Sequence, residues 1–267
     1  MREEEKPDMK KLFVRAWVLT AVLVSICTDA DPQSERKKSG AAPTLEEALA
    51  WMKRLPPVES TPADTFAKLT VDDLKTMTDF RYGGHTAAGP HVATPAAEFR
   101  YLTALPALKK LDLLEDDGVN DEAAVHLGKI STLTYLDFGG GGGKVTPAGL
   151  KHLAGLKELT YLGMAGNLAK AKADLDSGLP FLAKLPKLEV LVLSNTPVTD
   201  SGLAHLARCP ALKDLRLAMT GVTDAGLLPL ASIKTLTQVT FDKKTKVTPQ
   251  GIARFEKLLP GCKVLVN

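Results

Sequence analysis

From Met77 onward, apolar residues return at i, i+3 and i+5 in seven successive sets. They are Met77/Phe80/Tyr82, Leu108/Leu111/Leu113, Leu133/Leu136/Phe138, Leu159/Leu162/Met164, Leu188/Leu191/Leu193, Leu212/Leu215/Leu217 and Leu236/Val239/Phe241. Positions two apart lie on one side of an extended chain, so each set predicts a short strand whose i+3 and i+5 side chains point inward. First positions are spaced 31, 25, 26, 29, 24 and 24 residues apart, which leaves room for a further element in each period. A second pattern fills that room, clearest at residues 198–206 and 222–230 with variants at 145–153 and 247–255. In it a Val is followed by Thr, then by Asp or Pro, then by Gly-Leu or Gly-Ile and a last apolar residue. Thr199-Asp200, Thr223-Asp224 and Asn120-Asp121 read as helix N-caps, and Pro147 and Pro249 as first-turn prolines. A truncated eighth unit, Cys262 to Leu265, closes the chain.

No single period of this kind can bury its apolar side, so stability has to come from stacking. The unit L-x-x-L-x-L-x-x-T-x-V-T-D-x-G-L-x-x-L resembles the leucine-rich-repeat family, and within it the cysteine-containing and ribonuclease-inhibitor-like classes. The resemblance covers residues 77–267, about seven repeats plus a C-terminal cap. It implies an α/β leucine-rich-repeat solenoid, curved, with parallel strands on the concave face and helices on the convex face. It also implies that Asn167, Thr196 and Thr220 form a ladder inside the turn, each bonding the backbone of the neighbouring coil. Two units depart from the pattern. Gly139 to Gly143 replaces the ladder in the third, and an insertion from Leu168 to Asp176 enlarges the fourth.

Ahead of the repeats, residues 44–76 predict an N-terminal helical cap. Thr44 and Glu47 have capping-box spacing, and Leu45, Ala48, Leu49, Met52 and Leu55 share one face before Pro56-Pro57 ends the helix. A second helical stretch runs from about Pro62 to Lys75. Residues 31–43 are polar and aperiodic, as in a flexible linker. Residues 1–30 read as an export signal: Lys10, Lys11 and Arg15 precede an apolar run from Trp17 to Cys27. That run falls short of the roughly 20 residues a bilayer span needs. Glu3 to Glu5 are unusual in such a leader, and a start at Met9 would remove them, so both starts stay open. Cys27 after Val24-Ser25-Ile26 is a candidate lipid anchor, although Ile26 stands where a small residue is usual. Cleavage after Ala30 is the competing reading. Either places the protein in the periplasm, the cell envelope or outside the cell.

Composition narrows the function. Aromatics are only 5% and the net charge is +3, with Lys and Arg alternating along the sequence with Asp and Glu. The basic stripe of a nucleic-acid binder is absent from it, and no nucleic-acid partner is expected. Cys209 and Cys262 stand two repeats apart at repeat ends, too distant for a disulfide, and read as small buried hydrophobes. Gly139 to Lys144 lacks the hydroxyl that must follow a phosphate-loop lysine. His126, His152 and His205 share one repeat position, but no carboxylate or cysteine recurs beside them as a ligand set. His85 and His91 lie in a loop, and Asp116-Asp117 in a turn where exposed acids are common. No nucleophile, cofactor or metal site is expected, and no enzyme.

Function should sit on the strand face. Stacking the units gives two outward columns, and with strands about 4.8 Å apart Tyr135, Tyr161, Val190 and Val192 become one apolar and aromatic patch. Asp112, Asp137, Asp214 and Arg216 are expected to rim it with charge, the arrangement in which binding hot spots concentrate. The expectation is a monomeric, non-catalytic protein–protein interaction module that binds a macromolecular partner on its concave strand face. The alternatives are a structural cell-envelope repeat protein without one specific ligand, and an intracellular adaptor of the F-box-associated repeat type.

Overall fold

Eight short parallel strands form one sheet in strict chain order. They are β1 Asp79–Arg81, β2 Lys110–Asp112, β3 Tyr135–Asp137, β4 Tyr161–Gly163, β5 Val190–Val192, β6 Asp214–Arg216, β7 Gln238–Phe241 and β8 Lys263–Val266. The structure is a computed structural model and describes residues 41–58, 64–84, 92–140, 144–167 and 174–267. The export signal, most of the linker, and the loop holding His85 and His91 lie outside the described residues.

The seven apolar sets sit where their spacing places them. In β2 to β7 the i, i+3 and i+5 side chains are all buried. The register pairs Asp79 with Lys110, Lys110 with Tyr135, Tyr135 with Tyr161, Tyr161 with Val190 and Val190 with Asp214, so the first outward column is continuous. The closing strand differs. Val264, not Leu265, lies opposite Val239, so Leu265 falls among the outward residues and is 38% exposed. Cys262 still plugs the core at 3% exposure. Cys209 and Cys262 are both buried free thiols, as small hydrophobes would be.

Between strands the chain returns through a 3₁₀ helix, Ala96–Ala104, and then through α-helices at Asp121–Leu127, Pro147–Leu153, Leu179–Leu182, Asp200–Leu206, Asp224–Leu230 and Pro249–Leu258. The Val-Thr-Asp-x-Gly-Leu pattern does more than cap these helices. The carboxylate of Asp121 accepts from the backbone N–H and hydroxyl of Thr146 at 2.7 and 2.6 Å. Asp200 does the same for Thr223 at 2.8 and 2.6 Å, and Asp224 for Thr248 at 2.7 and 2.6 Å. Asp176 bonds Thr199 likewise. It is therefore the first-turn Asp of the fourth unit and no part of an insertion. Thus Asp at the start of one helix ties down the Thr that caps the next.

The internal ladder is only partly as expected. Asn167 is fully buried and bonds both ways to Val145 of the preceding coil, accepting from its N–H at 3.0 Å and donating to its carbonyl at 2.7 Å. Thr196 and Thr220 instead donate to Leu193 O and Leu217 O of their own turns. A threonine is one bond shorter than asparagine and does not reach across. Asp116 is no exposed turn acid. It is 0% exposed and accepts from the N–H and hydroxyl of Thr94 and from Gly118 N. Burial raises its carboxyl above the usual carboxylate range, against those three bonds.

The expected cap begins with helix Leu45–Met52, whose Thr44–Glu47 capping box is formed. The second helical stretch is broken into Asp64–Ala67 and Val71–Thr76, the latter with its own box between Thr70 and Asp73. Much of the chain's small aromatic complement gathers at this end. Trp51 stacks on Phe80 and Tyr101 at 6.0 and 5.7 Å, and Phe66 stacks on Phe80 at 5.6 Å. The Trp51 indole donates to Glu98 at 2.8 Å, and the Tyr82 hydroxyl to Pro56 O at 3.1 Å.

Candidate functional site

The outward positions of β1 to β8 make the strand face, and its centre is a tyrosine pair. Tyr135 and Tyr161 are register neighbours. Their rings stack with centroids 4.3 Å apart and planes 11° from parallel. Val190 continues the column and is half-buried, while Val192 beside it is only 9% exposed. The open part of the patch is therefore Tyr135, Tyr161 and Val190.

Asp137 does not stand on the rim. It is 7% exposed, accepting from the Tyr161 hydroxyl at 3.0 Å and from Gly139 N at 2.9 Å. Its second-column neighbour is Gly163, where a Cβ would meet the Asp137 carboxylate at 2.3 Å. The missing side chain lets the carboxylate lie across the strand and reach Tyr161. Burial lifts the Asp137 carboxyl above its ordinary range, opposed by the Gly139 and Tyr161 bonds. Burial, and then the Asp137 charge, lifts the Tyr161 hydroxyl well above the ordinary tyrosine value. That hydroxyl stays protonated and donating.

The other charges flank this centre in pairs. Asp112 bonds Arg81 at 2.7 Å, and Asp214 bonds Arg216 at 2.9 Å. The acid side chains are 13% and 17% exposed, the arginines 64% and 46%. The guanidiniums, not the carboxylates, meet solvent. Arg81 was not among the expected site residues, and only the Arg–Asp neighbour relation across two strands points to it. Beyond it a cleft of about 370 Å³ opens among Arg81, Tyr82, Gly84, Asp112 and Leu114. No cluster of three or more His, Cys, Asp or Glu that could hold a metal occurs among the described residues. Nor, among them, is any helix long and apolar enough to cross a membrane.

A family model described as a leucine-rich repeat matches residues 184–207, one period of the solenoid. The matched period and the strands stacked in parallel make the fold a leucine-rich-repeat solenoid. Among solved structures it is similar to an internalin from Listeria monocytogenes, at 16% identity and a TM-score of 0.42, over 72% of this chain and 62% of that one. The chain thus spans less than two thirds of that relative's length. No curated protein matches the sequence. Leucine-rich repeats serve in general as protein–protein interaction modules, through the extended surface that stacking creates.

Proposed function

We propose that the protein is a non-catalytic recognition module that holds a protein partner on its concave strand face, centred on Tyr135, Tyr161 and Val190. The observation that carries this reading is the tyrosine pair itself. Two stacked rings, one with its hydroxyl fastened to a buried carboxylate, present apolar area that loses little conformational freedom on binding. The flanking Arg81 and Arg216 are steadied by Asp112 and Asp214 and offer forked donors to a partner's carboxylates or carbonyls. The leader of residues 1–30 supports export to the periplasm, the cell envelope or the outside of the cell, where a monomer tethered through residues 31–43 would meet its partner.

The test is affinity capture from an envelope fraction with wild type and with Tyr135→Ala/Tyr161→Ala/Arg216→Glu as baits of equal melting temperature. A protein retained by the wild type and lost from the variant supports the reading and names the partner. Identical retention by both baits, or none by either, overturns it in favour of a structural envelope role.

A further inference from the structure

The even alternation of charge along the sequence does not survive folding. Consider the six turns that lead from a helix into β2 through β7, residues 105–109, 128–134, 154–160, 183–189, 207–213 and 231–237. They hold eight basic residues against two acids, Glu158 and Glu189, and all eight basic residues are exposed. Among the described residues, the opposite turns, from strand to helix, hold four basic against five acidic. Every turn of the first kind lies on the same long edge of the solenoid because every strand is parallel. With strands about 4.8 Å apart, six successive turns draw the cations into a band about 24 Å long at the sheet.

Helix dipoles account for part of the band only. Lys129, Lys184 and Arg208 lie two residues past their helix ends, where a cation complements the macrodipole. Lys157 and Lys234, four residues past theirs, bond the terminal carbonyls of Ala154 and Ala231 at 2.7 and 2.9 Å, whereas Lys109, Lys187 and Lys213 lie five to seven residues past theirs, beyond the last turn in which that effect operates. Two of the eight are neutralised locally, Lys187 by Glu158 at 2.6 Å and Lys213 by Glu189 at 2.8 Å.

We infer that this edge docks the protein against an anionic phospholipid surface. Seven of the eight cations are Lys, compact charges on flexible stems suited to diffuse attraction, and only one is the forked Arg of site-specific phosphate recognition. The six turns contain no Phe, Tyr or Trp, so they offer nothing on which a nucleic-acid base could stack. Exposed Pro106, Pro186 and Pro210 break the band with shallow apolar faces, which suit contact at headgroup level. The edge is separate from the concave face, so docking leaves Tyr135 and Tyr161 open, and this inference stands or falls independently of the proposed function.

Vesicle flotation of the full chain tests it, with phosphatidylglycerol/phosphatidylcholine vesicles against pure phosphatidylcholine, at low and high salt. The edge variant is Lys109→Glu/Lys129→Glu/Arg208→Glu. The control is Lys144→Glu/Lys243→Glu/Lys246→Glu, with the same charge change on the opposite edge. Each juxtamembrane cation contributes roughly fivefold in affinity, so the edge variant should bind anionic vesicles on the order of 100-fold more weakly. The control should stay within about threefold of wild type, and salt should release the wild type. Equal losses in both variants, no loss in either, or equal binding to neutral vesicles would overturn the inference. So would retention on single-stranded RNA, instead of vesicles, that only the edge variant loses.

Discussion

Asp200 occupies the space that Gly226 leaves empty: a Cβ on residue 226 would lie 2.4 Å from Asp200 Oδ1. The same relation joins Asp121 to Gly149 at 2.4 Å, Asp176 to Gly202 at 2.3 Å and Asp224 to Gly251 at 2.1 Å. Thr, Asp and Gly of the motif are thus three parts of one joint. The Asp of one repeat holds the next Thr, and the next Gly makes room for it.

An alanine in a helix ordinarily stabilises by up to about 1 kcal/mol over glycine. Gly226→Ala should do the reverse here and cost about 1–3 kcal/mol, because Asp200 is anchored by Thr223 and cannot step aside freely. In a double-mutant cycle by urea unfolding, Asp200→Ala should relieve much of that cost. Strict additivity would show that the two residues do not meet.

Met219 is 57% exposed and held at φ 55°, a conformation that costs a side-chain-bearing residue about 1–2 kcal/mol. Glu115 and Asn195 stand at the same repeat position with φ 63° and 54°, and Gly140 and Gly166 at 85° and 78°. Met219→Gly is expected to stabilise by about 0.5–1 kcal/mol after the entropic cost of glycine. A lower denaturant midpoint would count against this.

Asp116 carries a raised carboxyl pKa, so the folded state binds its proton more tightly than the unfolded chain. Its effect on stability is therefore least favourable at neutral pH and improves as pH falls through the native pKa toward 3.8, the ordinary value. Asp116→Asn keeps an acceptor oxygen for the Thr94 and Gly118 N–H groups and can donate from its amide nitrogen to the Thr94 hydroxyl, so it should match or exceed wild type at pH 7 and lose this part of the pH dependence. Asp116→Ala strands the Thr94 N–H and should cost about 1–3 kcal/mol. Equal losses in both variants at pH 7 would refute the account.

Cys209 is 2% exposed with its thiol pushed up to about 12 by burial, and Cys262 is 3% exposed and pushed up to about 11. Reaction needs an accessible thiolate. Neither should be alkylated in the native protein at pH 8, and both should react once urea unfolds it. Rapid native labelling at either position would mean that its repeat opens.

The strand frame was legible because the i, i+3, i+5 pattern recurs with little noise, and the register followed from it. What escaped depended on contacts between periods. Asp116 and Asp137 read as surface acids, since nothing local to them announces Thr94, Gly118, Tyr161 or the gap at Gly163. Trp51 escaped because the helical face was counted on aliphatic positions, while its partners Phe80 and Tyr101 lie far along the chain. The joint between Asp, Thr and Gly was in plain view as a motif, yet each letter was first read as serving its own helix. The tyrosine pair was legible as a column, its hydroxyl anchor was not.

Because each repeat offers the next one the same Asp and receives from the last one the same Thr and Gly, residues 188–211 and 212–235 have matching ends. Such a unit is an interchangeable cassette. Duplicating or excising 24 residues there would leave two compatible faces in contact, so the molecule's reach can change by whole steps without a new interface having to be invented.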